Sequence, residues 1–227
     1  MYYHFLPSQY AINDLERKMI RVSTLDTLND PFELMPYLRY GEKEKIRRYM
    51  DVRKQISDLY GLLCFSKTWE EPLLWSHYAD KHKGIAVGFE INSPDIFDVV
   101  YDPNPIRKQF DLTSDLIINK NLFLELAKIK YINWKYEQES RILLKLSDCT
   151  KIDGHYFIEF RNSLKVKEVR LGANYDYEAT RTEYIFKLLT IYSGSEIIPC
   201  RLERQGYKIN FDGHKANKLQ EMLKKIN

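Results

Sequence analysis

The apolar residues of this chain come in short runs. None approaches the roughly 20 residues that a membrane-spanning helix needs, and strand-length runs alternate with segments of helical spacing. Met1 to Leu6 alternates aromatic and apolar residues around His4 and reads as a strand. Ser8 is then placed to cap a helix carrying Ala11, Ile12, Leu15 and Met19, and a second strand follows at Ile20 to Ser23. Thr27 to Pro31 is a turn, because Asn and Asp favour Asx turns and a proline holds the residue before it extended. Gly41 to Tyr60 is a charged surface helix with a narrow stripe of Ile46, Tyr49, Met50, Ile56 and Leu59. Strands are expected at Leu62 to Ser66, Gly84 to Ile91, Val99 to Tyr101, Ile142 to Leu146, Tyr156 to Phe160 and Val166 to Leu171, with a strand pair around Pro199 to Arg204 and Tyr207 to Phe211. Helices are expected at Glu71 to Asp80, Leu112 to about Lys130, Tyr177 to Ile191 and His214 to Ile226. With no repeat, low-complexity segment or linker, the pattern predicts an α+β fold: one domain, residues 1–227, with a mainly antiparallel mixed sheet and surrounding helices.

Composition narrows the function classes. At 227 residues the chain buries a core without needing disulfides. Lys and Arg number 35 against 32 acidic residues, and a net charge of +3 is too small to read as a nucleic-acid footprint. Cys64, Cys149 and Cys200 are far apart and odd in number, which fits a reducing compartment and gives no CxxC metal spacing, so no structural metal is expected. The first residues show no charged leader followed by an apolar stretch, so a cytoplasmic protein with no membrane partner is expected. Tyrosine is in excess, 17 against 11 Phe and 3 Trp, which suits half-buried positions with a polar end.

The phosphate-cradling GxGxxG and GxxxxGK[ST], the zinc-binding HExxH and the nucleophilic GxSxG are all missing. Catalysis would therefore rest on residues scattered along the chain and gathered by folding. Three blocks concentrate polar and aromatic residues at expected element ends. The first joins Tyr3-His4-Phe5, Arg21-Val22-Ser23 and Asn29-Asp30-Pro31-Phe32-Glu33. The second joins Cys64-Phe65-Ser66, Trp69 and Leu74 to Asp80 (LWSHYAD). The third is Trp134 to Arg141 (WKYEQESR).

In order and wording these blocks resemble the bacterial domain-of-unknown-function family 2971, over Tyr2 to about Leu171. Residues 1–173 form the family-like part and 174–227 a C-terminal extension. Leu6, where a Thr is usual, and Leu74, where Met is common, depart from the family pattern.

That layout is similar to ADP-ribosyltransferase folds of the His-Tyr-Glu type. The resemblance implies NAD as substrate, with His4 on the nicotinamide ribose, Glu139 as the late catalytic carboxylate and Glu137-Gln138-Glu139 as an ExE-like pair. Breaking the nicotinamide glycosidic bond builds positive charge on the ribose, which a carboxylate stabilises. In extended chain Glu137 would face the same side as Glu139 and orient the nucleophile. The implied binding set is completed by Tyr78 or Trp75 against nicotinamide, Arg21 or Arg141 on the pyrophosphate through paired N–H donors, and by His77 and Ser23. An NAD-dependent transferase or NAD glycohydrolase, acting as a toxin or phage-defence effector on a nucleic-acid or protein target, is the resulting expectation.

Plainer readings stand beside these. His4 is equally a strand residue satisfied by a backbone group. Asp30 is a turn residue, Trp75 is core packing, and Glu137 with Arg141 is an i, i+4 ion pair if that stretch is helical. Arg47, Arg48, Arg53 and Lys54 form a solvated face or meet a nucleic-acid backbone. Two other function classes remain: a non-catalytic nucleotide- or protein-sensing module, and a metal-dependent nuclease using Asp30, Glu33, Glu137 and Glu139.

Overall fold

The alternation at the N-terminus does form a strand, and the elements that follow were traced in a computed structural model describing residues 1–34, 43–104, 120–160, 163–177, 181–192 and 194–226. In chain order they are β1 (Tyr2–Leu6), α1 (Ser8–Arg17), β2 (Met19–Val22), α2 (Lys43–Leu59), β3 (Tyr60–Ser66), α3 (Pro72–Tyr78), β4 (Ile85–Ile91), β5 (Ile96–Asp98) and β6 (Val100–Asp102). The rest are α4 (Lys120–Ala127), β7 (Ile129–Tyr131), β8 (Glu139–Lys145), β9 (Thr150–Ile152), β10 (His155–Glu159), β11 (Leu164–Leu171), α5 (Arg181–Ile191), β12 (Glu196–Leu202), β13 (Ile209–Phe211) and α6 (Gly213–Ile226). This is an α+β fold built on a large mixed, mostly antiparallel sheet with several helices.

The chain divides into two compact units. The first comprises 1–20, 65–93 and 159–227, and the second 21–64 and 94–158. In the first unit the strands run in the order β13-β12-β11-β4-β1, with Tyr3 of β1 opposite Ser66 at the end of β3. All pairings there are antiparallel except β11 with β12, which is parallel. Its core gathers Trp75, Ala79, Ala86, Cys200 and Ile209, with Phe5 and Trp69 packed against them. Gly172 is required here by close approach: a Cβ at that position would lie 2.1 Å from the His82 carbonyl oxygen.

In the second unit β3 (through Cys64), β8 and β5 are consecutive, β6 and β7 form a parallel pair, and β9 and β10 form a hairpin. The hairpin closes through Asp153-Gly154, both at positive φ (49° and 82°), the chemistry of a two-residue turn matched to strand twist. The unit's core is Leu25, Leu34, Tyr49, Val52, Ile56, Tyr60, Leu62, Phe123, Leu126 and Ala127.

Several sequence expectations change. Ser8 does not cap α1: Pro7 occupies the cap, Ser8 is the first helical residue, and its hydroxyl donates to the Lys83 carbonyl at 3.0 Å. The buried stripe of α2 is Tyr49, Val52 and Ile56, whereas Met50 and Leu59 are exposed. The α4 helix ends at Ala127, so Lys130 belongs to a strand; Leu116 and Ile117 of that expected helix lie outside the described residues. Tyr131 to Glu137 is not an extended approach to a strand. A 3₁₀ turn spans Ile132–Glu137, Gln138 adopts a left-handed conformation (φ 44°), and β8 starts at Glu139, three residues before the expected Ile142.

Candidate functional site

The third sequence block and the NDPFE turn converge inside the second unit. Glu139 and Arg141 are two apart on β8, so a strand's alternation sends both side chains to one face. Arg141 Nε donates to Glu139 Oε1 and Nη2 to Glu139 Oε2, each at 2.8 Å, a fork-to-fork pair within one strand. The same Nη2 donates to Glu33 Oε1, and Nη1 donates to the Ala127 carbonyl at the end of α4 (2.8 Å). Lys130 on β7 donates to Glu137 Oε2 at 2.5 Å and to Glu139 Oε2 at 2.9 Å, so one ammonium is shared by two carboxylates. It also lies 5.2 Å from the centre of the Trp134 ring.

Local chain geometry explains the gathering. Asp30 accepts from the Phe32 backbone N–H at 2.9 Å, the Asx turn expected from NDP, and this turn carries Glu33. The left-handed Gln138 reverses the chain between the 3₁₀ turn and β8, and Glu137 and Glu139 meet at Lys130 through that reversal, not through the extended i, i+2 register. Tyr101 on β6 stands opposite Lys130 of β7, and its hydroxyl accepts from the Glu139 backbone N–H at 2.7 Å. Ser140 points to the other face and donates to Asp98.

All the charged members are buried: Asp30, Glu33, Lys130, Glu137, Glu139 and Arg141. Four carboxylates face two cations, and among the described residues Glu33 Oε2 makes no hydrogen bond, with Lys130 Nζ 4.0 Å away. Burial raises the Glu139 carboxyl above its ordinary value; Lys130 opposes the rise and Glu137 adds to it. Burial lowers Arg141 to about 9, with Asp30 opposing, which still leaves a cation at neutral pH. Burial, then the Glu139 carboxylate, pushes the Cys64 thiol well above its usual range. In a closed, anion-rich group of this kind desolvation penalises every uncompensated charge.

Of the sequence candidates, Glu137, Glu139 and Arg141 come together, joined by Asp30, Glu33 and Tyr101. Arg141, expected on a pyrophosphate, is 0% exposed, and its guanidinium is spent on Glu33, Glu139 and Ala127. Arg21 and Ser23 belong to the same unit; Ser23 is held by paired backbone hydrogen bonds to Leu62. His4, Trp75, His77 and Tyr78 belong to the other unit. His4 is half-buried, opposite Val87 and edge-on to Phe65 at 6.0 Å. Trp75 is 0% exposed, its indole donates to the Trp69 carbonyl at 2.7 Å, and Phe5 packs edge-on at 5.1 Å, which is the core-packing arrangement. His77 is exposed on α3, and Tyr78 is half-buried beside it with ring centres 6.1 Å apart.

Lys130 was not foreseen. Its signal was available in Ile129-Lys130-Tyr131, a single polar residue between apolar neighbours, but extending α4 through it concealed the strand. Of the carboxylates that the sequence offers for a divalent ion, Glu33, Glu137 and Glu139 are held by an ammonium and a guanidinium, and Asp30 by the Phe32 backbone N–H. Among the described residues no group of three or more His, Cys, Asp or Glu side chains is arranged to hold a metal. No described helix is long and apolar enough to cross a membrane.

Comparison with known proteins relates the same part of the chain to a family. Residues 74–142, which include the LWSHYAD and WKYEQESR blocks, match the model of a family described as Protein of unknown function (DUF2971). No curated protein and no solved structure matches the chain. The segment that supplies Lys130, Glu137, Glu139, Arg141 and Tyr101 is thus similar to that family.

Proposed function

We propose that the second unit carries the working centre of an enzyme that breaks the nicotinamide glycosidic bond of NAD, transferring ADP-ribose to a nucleic-acid or protein target or to water. The observation that carries this reading is the pair Glu137 and Glu139 sharing the Lys130 ammonium beside Trp134; the choice of NAD comes from the resemblance in layout. As the C–N bond breaks, its electron pair leaves with nicotinamide. Positive charge on the ribose is met by the Glu139 carboxylate, the nucleophile's oxygen bonds to the sugar, and its proton passes to Glu137. Both carboxylates are nearly closed off, so substrate access requires local opening of the site. A toxin or phage-defence effector is the setting that suits such an activity.

A second reading, a non-catalytic sensing module, is favoured by the saturation of Arg141, which is typical of a closed structural ion network. The two separate in one experiment, in which purified protein is assayed for NAD cleavage and for label transfer from NAD to RNA, DNA and protein. Glu139→Gln and Glu137→Gln are carried in parallel and their folding is checked by circular dichroism. Turnover in the wild type, lost by 100-fold or more in folded Glu139→Gln, supports the enzyme. Wild-type protein that neither binds nor cleaves NAD sinks it.

A further inference from the structure

Three successive residues after α3, Asp80, Lys81 and His82, have positive φ (43°, 53° and 69°), with no glycine among them. The left-handed region is sterically costly for such side chains, and a run of this kind persists only where surrounding contacts over-determine it. The base of the turn is fixed by the Gly84 N–H on the Ala79 carbonyl (2.7 Å), the Lys83 N–H on the Asp80 carbonyl (3.0 Å) and the Ser8 hydroxyl on the Lys83 carbonyl (3.0 Å). The strained part is pinned through His82. Its backbone N–H donates to the Trp75 carbonyl at 3.2 Å, its carbonyl accepts from the Asn174 N–H at 3.0 Å, and its imidazole Nε2 lies 3.0 Å from Ser76 Oγ. All these residues belong to the first unit.

The side-chain bond admits one proton arrangement. Ser76 Oγ has a single proton and gives it to the Pro72 carbonyl at 3.0 Å, so Nε2–H must be the donor to Ser76. Nδ1 is then a bare lone pair, sealed from solvent and without a hydrogen bond among the described residues. A proton added there meets neither water nor an acceptor. Nearby charges do not compensate. His77 on α3, Asp80, Lys81 and Lys83 in the turn and Asp176 beyond β11 are exposed, and Lys215 of α6 donates to the Ala173 carbonyl. Among the described residues no charged side chain meets the ring, and burial is what lowers the imidazole below its ordinary 6.5.

We propose that the Asp80–His82 turn is an acid-released latch: neutral His82 holds the strained turn on α3, and protonated His82 holds it open. In the open turn the imidazole is hydrated, titrates near 6.5 and takes up a proton that the latched form refuses. The latch is therefore complete above about pH 6.5 and loosens as pH falls through 6.5 towards the lowered value. Between pH 7.5 and 5 a group of this kind raises the open population by at most about 30-fold. The latch stands whether or not the Glu139 cluster of the second unit turns over NAD.

Amide hydrogen exchange of the intact chain followed by NMR, corrected for the intrinsic pH dependence of exchange, tests it. Protection of the His82 amide is expected to fall at least threefold from pH 7.5 to 5, while the amides of β4 and β11 hold theirs. His82→Gln, whose side chain can still donate to Ser76 but does not titrate, is expected to show the same protection at both pH values. Ser76→Ala, at an exposed position, is expected to lower protection of the His82 amide severalfold at pH 7.5 with an unchanged melting temperature. Nitrogen-15 shifts of the imidazole are expected to show the Nε2–H tautomer and titration below 6.5. Wild-type protection indifferent to pH, His82→Gln losing protection as the wild type does, or an imidazole titrating at or above 6.5 overturns the proposal.

Discussion

Arg141 shows how much depends on single residues in the second unit. Its guanidinium is buried and holds Glu33 and Glu139 at once, so removing it leaves two carboxylates in a dry site. Arg141→Met is expected to lower stability by about 3–5 kcal/mol, read from urea unfolding midpoints, and Arg141→Lys to recover only part of that loss because an ammonium cannot reproduce the fork. Glu139 makes a pH prediction. Its carboxyl is raised above the ordinary 4.5, so the folded chain keeps a proton that the unfolded chain has lost. The stabilising contribution is complete below about pH 4.5 and disappears as pH climbs through the raised value. Glu139→Gln cannot titrate. Urea midpoints taken from pH 4.5 to 7.5 should therefore show wild type losing stability relative to the variant as pH rises, and parallel curves would contradict the assignment.

Two glycines distinguish a packing role from a conformational one at the level of elements. At Gly172 a methyl would meet the His82 carbonyl, a backbone atom that also accepts from the Asn174 N–H at 3.0 Å and so has little room to yield. Gly172→Ala is expected to cost about 3 kcal/mol or more, seen as a large drop in melting temperature. At Gly154 a methyl would meet nothing within 4 Å, but φ is 82°, so Gly154→Ala should cost only about 1–2 kcal/mol. Most strands and helices were legible because side-chain period is a local property, as the alternation of β1 and the spacing of Ala11, Ile12 and Leu15 in α1 illustrate. The misread stretch was Tyr131 to Gln138, where Trp134 and Tyr136 imitate strand alternation. There they form a 3₁₀ turn with ring centres 6.0 Å apart, because the turn brings Trp134 to Lys130 and Glu137 to the same ammonium, contacts outside any local window.

For the molecule as a whole, the three cysteines sample both units, Cys200 in the first and Cys64 and Cys149 in the second. Burial pushes the Cys200 thiol to about 12 and Cys64 well above its usual range, while Cys149 is raised by burial and by Asp148; Cys64 and Cys149 are both half-buried and Cys200 is buried. Thiol labelling of native protein at pH 8 should therefore modify Cys149 before Cys64, whose thiol is raised further, with Cys200 reacting only as the first unit opens. Early modification of Cys200 would contradict its place in the core. The sequence by itself determined the α+β class, the order of most elements and the Asx turn at Asp30, since periodicity, turn chemistry and proline geometry all act within a few residues. It also placed Glu137, Glu139 and Arg141 in one block. Only the tertiary structure decided that Lys130 is a strand residue, that Glu33 reaches an arginine 108 positions away, and that the Asn174 N–H meets the His82 carbonyl. Those pairings depend on which surfaces the packed elements bring together, and a buried charge settles on whatever partner the fold delivers.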